Sequence, residues 1–259
     1  MTMSTLVREN KTKKLIASGG VAVGGFLGLK STEIVEIMGY AGLDFVIIDS
    51  EHGSADTETL EHMVRAAEAA GITPIVRVTN VNDPTLILRA LDLGAQGVQV
   101  PMVESAETAR RIVQAAKYHP LGRRGLAGVR AARYGAVDMT RYVGEANAQT
   151  MVVAQIETVA GVEHAAEIAA VDGVDVVFVG PMDLSQSLGI PAQRRNPLLI
   201  ETMEKVFAAC KAAGKPCGTL TANAEEGRAQ SAAGLQYLCI SPAPIYAHCQ
   251  SLLQGIRGQ

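Results

Sequence analysis

The chain has 259 residues, 48% of them hydrophobic, with a formal net charge of −3 and a pI near 6.0. That supplies enough apolar material for a large core, and it suits one α/β barrel better than two small domains. So weak an acidic balance gives no general pull toward nucleic acid or an anionic membrane, which leaves a small molecule as the expected partner.

Near the N-terminus, Lys11, Lys13 and Lys14 are followed only by Leu15-Ile16-Ala17 before Ser18-Gly19-Gly20 breaks the run. No signal peptide or membrane span of about 20 apolar residues is expected, so the location is read as cytoplasmic. Residues to about 18 read as a short extension of a single domain covering 1–259. From there short apolar runs alternate with amphipathic stretches. Val21–Leu29 reads as a strand, Thr32–Ala41 as a helix, Phe45–Ile48 as a strand, Thr57–Ala70 as a helix, Pro74–Val78 as a strand and Pro84–Leu93 as a helix. Gly97–Val103, Met151–Glu157, Val174–Gly180, Cys217–Leu220 and Tyr237–Ile240 continue the strands, and Ala106–Ala116, Gly161–Ala170, Pro197–Ala213 and Ala224–Ala233 the helices. Gly71, Gly94, Gly214 and Gly234 follow helix ends, as left-handed C-terminal positions require.

Strands alternating with helices of this length imply parallel β-α units, and the default closed form is a single (β/α)8 TIM barrel. A doubly wound open sheet is the alternative, weakened because no G-x-G-x-x-G joins the first strand to its helix. Cys210, Cys217, Cys239 and Cys249 form no C-x-x-C pair and read as small apolar residues in a reducing compartment. The longest irregular stretch, Lys117 to about Val137, carries Arg123, Arg124, Arg130 and Arg133. These arginines suit an anionic substrate or a solvent or subunit contact equally well.

Several strand ends carry chemistry. The run Phe45–Ile48 leads into Asp49-Ser50-Glu51-His52-Gly53, the run Pro74–Val78 holds the lone Arg77, and Glu157 and Asp183 each follow an apolar run about one β-α unit apart. Strand alternation puts Gln155 and Glu157 on one face, with Val153 below them. Glu157 and Asp183 could hold a hard divalent cation and leave positions for water and substrate, which suits Mg²⁺ or Mn²⁺ better than Zn²⁺. The structural alternative pairs Glu157 with an arginine and makes Asp183 the cap of a helix beginning at Leu184. His52 is the natural proton-transfer residue, with Asp49 placed to orient its imidazole. A buried Arg77 needs an anion, either a structural carboxylate or a substrate oxygen.

The segments Leu43 to Gly53, Gly94 to Val103, Gln155 to Thr158 and Val179 to Ser185 resemble the metal-dependent, class II pyruvate aldolases of the HpcH/HpaI family, in order from about Gly25 to Gly189. That resemblance implies a barrel, often a hexamer built from dimers that exchange a C-terminal helix, and reversible aldol cleavage of a 4-hydroxy-2-oxo acid to pyruvate plus an aldehyde. It implies Glu157 and Asp183 as ligands of the divalent ion, with Mg²⁺, Mn²⁺ or Co²⁺ as options. Arg77 would hold the keto or enolate oxygen, His52 with Asp49 would handle protons, and Gln155 with Gly180, Pro181, Met182 and Asp183 would line the pyruvate pocket. Two departures touch the rim: the turn Thr79 to Pro84 looks about one residue longer than the family pattern, and Ser241-Pro242-Ala243-Pro244 replaces a Gly-x-Asp-like turn. Other metal-enolate lyases, of acyl-CoA lyase or oxaloacetate decarboxylase type, and a non-catalytic keto-acid-binding barrel are the competing readings.

Overall fold

The computed structural model describes residues 6–240 and 244–258. Eight parallel strands close in sequence order: β1 (Ala22–Leu27), β2 (Phe45–Asp49), β3 (Thr73–Arg77), β4 (Gly97–Val100), β5 (Met151–Ile156), β6 (Val176–Val179), β7 (Cys217–Thr221) and β8 (Tyr237–Ile240), with β8 pairing back onto β1. The helices are α1 (Lys11–Ala17), α2 (Thr32–Tyr40), α3 (Thr57–Ala70), α4 (Pro84–Asp92), α5 (Ala106–Ala116), α6 (Met139–Gln149), α7 (Val159–Glu163), α8 (Ala165–Ala169), α9 (Pro181–Ser187), α10 (Pro197–Ala212), α11 (Ala224–Ala232) and α12 (Pro244–Arg257). The closed single barrel is therefore present, and the open sheet is excluded. No described helix is long and apolar enough to cross a membrane.

Local chemistry sets the helix boundaries. Ser31, Asp56, Asp83, Ser105 and Asn196 each accept a backbone N–H from the first turn of the helix that follows. Gly71 ends α3 at φ +74°, in the left-handed region, and its N–H returns to the Ala67 and Glu68 carbonyls. Several expected elements are corrected. Leu29, Val103, Glu157 and Gly180 lie beyond the ends of their strands, because the ladder stops at the barrel mouth while the apolar character of the chain continues. The helix expected over Gly161–Ala170 is two short ones that meet at His164, whose Nδ1 lies 2.9 Å from the Ala160 carbonyl oxygen.

Alternation along the strands separates two apolar layers. One, including Val46, Ile48, Val76, Val98, Val152 and Val177, faces the helices. The other, including Phe26, Phe45, Ile47, Ile75, Val153, Phe178 and Tyr237, fills the barrel interior, where Phe45 stacks on Tyr237 with centroids 4.2 Å apart.

The N-terminal end of the barrel is built for cohesion. Residues 10–17, expected as part of an extension, pack onto it: the Thr12 hydroxyl donates to the Asp44 carbonyl and lies 2.8 Å from the Thr73 hydroxyl, from which it can accept, and Ile16 is buried. Asn10 is 1% exposed; its Nδ2 donates to the Gln96 and Gln149 carbonyls at 3.0 Å, while its Oδ1 caps α1. The arginine-rich stretch joins α5 to β5 by way of α6, so it lies at this same end. Arg124 pairs with Asp92 at 2.7 Å, and Arg130 binds Glu68 and, at 2.8 Å, the Leu93 carbonyl, all near the C-terminal ends of α3 and α4. These contacts are structural and face away from the strand C-termini, where a barrel keeps its chemistry.

Replacing Asn10 by alanine takes its donor from the part-buried Gln149 carbonyl, removes one of the two donors to the Gln96 carbonyl, which keeps the Met151 N–H, and leaves α1 without its side-chain cap. The expected loss is about 2 to 4 kcal/mol, to be read from urea unfolding midpoints; an unchanged midpoint would show that α1 is not tied to the barrel as described.

Candidate active site

The barrel mouth is built around two acid-bearing centres. On one side, Asp49 and Arg77 close neighbouring strands in direct register. Both face inward, and the Arg77 guanidinium forks onto the Asp49 carboxylate, with Nε 2.9 Å from Oδ1 and Nη2 2.6 Å from Oδ2. Its Nη1 lies 3.1 Å from Glu51 Oε2, and its plane lies over the Phe26 ring with Cζ 4.7 Å from the centroid. Burial opposes ionisation of Asp49, but the Arg77 fork and the backbone N–H groups of His52 and Glu51 outweigh it and hold the carboxyl below its ordinary range. Burial likewise disfavours the guanidinium charge, and Asp49 and Glu51 more than restore it.

Asp49 also shapes the chain that follows. Its Oδ1 accepts the N–H of Glu51 at 3.0 Å and of His52 at 3.3 Å, turning the backbone sharply out of the strand. Gly53 completes the turn, since a Cβ there would lie 2.0 Å from the Asp49 carbonyl oxygen. The His52 ring emerges at the mouth with its side chain 63% exposed and Nε2 3.9 Å from Glu51 Oε2. Asp49 was expected to orient this imidazole; the geometry instead commits its carboxylate to Arg77 and to backbone N–H groups, and Glu51 is the acid beside the ring. Burial raises the Glu51 carboxyl above its ordinary value, against the attraction of Arg77 and His52.

On the other side, Glu157 follows β5 and is 2% exposed. Its Oε2 accepts Gln155 Nε2 at 2.5 Å and its Oε1 accepts the Met102 N–H at 2.8 Å. Met102 adopts φ +55°, uncommon for a residue with a side chain, and that conformation brings the N–H to the carboxylate. Gly180 leaves room for the carboxylate in this position, because a Cβ there would stand 2.5 Å from Glu157 Oε2 and displace it. Asp183 sits exposed in the first turn of α9, with Pro181 buried and Met182 exposed beside it. It does not cap the helix, which begins at Pro181 with Gly180 at its N-cap and no side-chain cap bond.

Glu157 is the charge most in need of a partner. Burial pushes its pKa up to about 7 despite the hydrogen bonds from Gln155 and Met102, and the charges of Asp183 and Glu51 push in the same direction. Among the described residues it makes no ion pair with an arginine, so that alternative is not realised. No group of three or more His, Cys, Asp or Glu side chains among the described residues could enclose a metal alone. A buried glutamate with an exposed aspartate within electrostatic reach nevertheless matches a hard divalent cation that keeps positions open for water and substrate.

Three participants were not singled out from sequence. Glu51 lies within the Asp49 to Gly53 motif and was passed over between Asp49 and His52. Gln99, fully buried on β4, carries the same signal that revealed Arg77, a polar residue inside an apolar run. Met102 acts through its backbone, which leaves no mark in composition. In the turn after β3, Asn80 bonds the N–H groups of Asn82 and Asp83 before Asp83 caps α4. The other departure, at Ser241 to Ala243, falls outside the described residues.

The family model for HpcH/HpaI aldolase/citrate lyase matches residues 23–237. A 4-hydroxy-2-oxovalerate aldolase of Novosphingobium aromaticivorans is 42% identical over 213 residues, 82% of this chain and 80% of that protein. A 2-dehydro-3,6-dideoxy-6-sulfogluconate aldolase of Pseudomonas putida is 38% identical over 240 residues, covering 92% and 93%. The crystal structure of an HpcH/HpaI aldolase from Desulfitobacterium hafniense superposes with a TM-score of 0.89 at 37% identity, covering 95% of this chain and 96% of that one. The chain therefore belongs to the HpcH/HpaI aldolase/citrate lyase family and is a carbon–carbon lyase.

Proposed function

We propose that the protein cleaves a 4-hydroxy-2-oxo acid reversibly to pyruvate and an aldehyde, with Mg²⁺ or Mn²⁺ held by Glu157 and Asp183. The observation that carries this reading is the buried, charge-frustrated Glu157 next to Asp183, across the mouth from a guanidinium fixed in one orientation. Aldolase names among relatives that align with most of the chain support it.

When bound, the ion would supply a Lewis acid for the carboxylate and keto group of the oxo acid. Arg77 has five N–H donors, of which at most three face Asp49 and Glu51. The remainder are available to an oxygen that gains negative charge as the carbon–carbon bond breaks, and Asp49 and Phe26 hold them in place beforehand. His52, at the solvent edge, removes the C4 hydroxyl proton, and Glu51 favours the charged ring that results. Gln155, Gly180, Pro181, Met182 and Asp183 form the wall that receives pyruvate. Asp49 thus serves mainly to position Arg77 and the His52 backbone.

The assembly we propose is a homohexamer built from dimers that exchange α12. All described side chains of α12 are exposed, among them Tyr246, Leu252, Leu253 and Ile256. A groove of about 800 Å³ between α11 and the barrel, lined by Val21, Val23, Ala224, Leu238 and Ile240 and bordered by Ala247 of the chain's own α12, suits the α12 of a second copy.

Glu157→Gln and Asp183→Asn keep side-chain size and remove anionic oxygen; both are expected to abolish turnover and its dependence on added metal without unfolding the barrel. Near-normal turnover in both variants would reject the metal assignment. Arg77→Lys keeps charge but loses the fork, so the rate of pyruvate methyl deuterium exchange followed by NMR should fall about 10²- to 10³-fold. His52→Ala should slow aldol cleavage by about 10² to 10⁴ and oxaloacetate decarboxylation much less, since decarboxylation requires no hydroxyl proton to leave. Equal losses in the two reactions would withdraw the acid–base role of His52.

A further inference from the structure

Beneath Glu157 a chain of side-chain hydrogen bonds crosses the sealed interior of the barrel. The Tyr237 hydroxyl on β8 donates to Gln99 Oε1 at 3.4 Å, Gln99 Nε2 donates to Gln155 Oε1 at 2.5 Å, and Gln155 Nε2 donates to Glu157 Oε2 at 2.5 Å. None of the four residues is more than 2% exposed. Their surroundings are apolar, with Ile75, Val153, Met151 and Phe178 filling the same interior. An amide on β4 in that setting is costly unless both its ends are bonded, so packing alone does not account for Gln99.

Direction is the informative property of the chain. A primary amide has one accepting and one donating end, and either can be turned toward a neighbour. Glu157, when ionised, accepts only, so the Gln155 amide must present its N–H to it; with the opposite orientation two oxygens would meet in a low-dielectric interior. Gln99 makes that opposite orientation expensive. Its Nε2 already occupies the Gln155 oxygen, so Gln155 cannot turn over unless Gln99 turns as well. At the far end the Tyr237 ring is held by its stack on Phe45 and its edge contact with Phe178, which places its hydroxyl 3.4 Å from the Gln99 oxygen.

We propose that Gln99 is a positioning residue, which locks the Gln155 amide so that Glu157 is held as an oriented anionic ligand for the divalent ion. This rests on Glu157 being a metal ligand, as proposed above. Gln99 does not reach substrate; it acts through Gln155, as outer hydrogen-bond partners of metal ligands do when they set ligand orientation.

The test measures Mn²⁺ affinity without substrate, by calorimetry and by electron paramagnetic resonance of free Mn²⁺, in the full-length protein. Gln99→Met keeps length and volume and removes both bonds; affinity should weaken about 10- to 100-fold, as for lost outer-shell partners of metal ligands. Gln99→Leu serves if the methionine variant does not fold. Pyruvate methyl exchange by Gln99→Met should recover at saturating Mn²⁺. Ile75→Val, which trims the same layer without touching the chain, should keep wild-type affinity. In a double-mutant cycle, adding Gln99→Met to Gln155→Met should cost nothing further, because the hydrogen-bonded path from Gln99 to Glu157 is already cut. Wild-type affinity in Gln99→Met, or losses that add in the double variant, would overturn the proposal while leaving the metal site intact. If Glu157→Gln itself binds Mn²⁺ as tightly as wild type, the ligand assignment fails and this inference falls with it.

Discussion

A carboxylate that is 2% exposed, accepts two hydrogen bonds and shares its field with Asp183 and Glu51 bears a desolvation cost that no neighbouring arginine meets directly. Burial on this scale costs several kcal/mol per ion unless a partner is supplied. The geometry around Glu157 follows from that need. Gly180 gives up its side chain so that Oε2 has room, Met102 accepts an unfavourable φ to deliver its N–H, and Gln155 turns its amide toward the charge. Each device sharpens the position of the carboxylate, and none neutralises it. The charge of Glu157 thus stays open, which is what the cation proposed above would meet.

The Asp49–Arg77 fork solves a different problem. A buried ion pair is a weak source of stability, since desolvation consumes most of its Coulomb attraction. Its value here is directional. Two bonds from Asp49, the contact to Glu51 and the Phe26 ring leave the guanidinium no freedom to rotate, so its remaining donors are oriented before any substrate arrives. The same Asp49 oxygen gathers the Glu51 and His52 N–H groups, so one carboxylate arranges both the Arg77 guanidinium and the backbone that carries His52.

Cohesion and chemistry are held at opposite ends of the barrel. At the N-terminal end, Asn10, Thr12, Arg124 and Arg130 find partners within the fold. At the C-terminal end, burial pushes the carboxyls of Glu157 and Glu51 above their ordinary values, and His52 opens to solvent. Between them, the interior is apolar except for the amide chain through Gln99, which connects the packed core to the mouth.

Periodicity in the sequence was sufficient for the barrel, because an apolar run flanked by amphipathic segments and glycine stops has few other ways to bury itself. It was sufficient also for Arg77, Glu157, Asp49 and His52 as candidates, since a polar residue closing a buried strand stands out against its run. Element ends were misjudged where apolar character outlasts hydrogen bonding, as at Val103 and Gly180; α9 was read only as a helix from Leu184 and begins at Pro181, and α6 was unmarked because it repeats no clear apolar face. Partner choice was beyond reach of the sequence. That Asp49 belongs to Arg77 and not to the His52 ring, that the loop arginines bind Asp92 and Glu68 at the far end, and that Gln99 reaches Glu157 through Gln155 all depend on which strands lie side by side and on the register between them. One residue of slip would turn every inward side chain outward. Residue type and spacing determined what chemistry was available to this chain; barrel closure decided which groups meet, because only closure brings strands distant in sequence to within hydrogen-bonding distance.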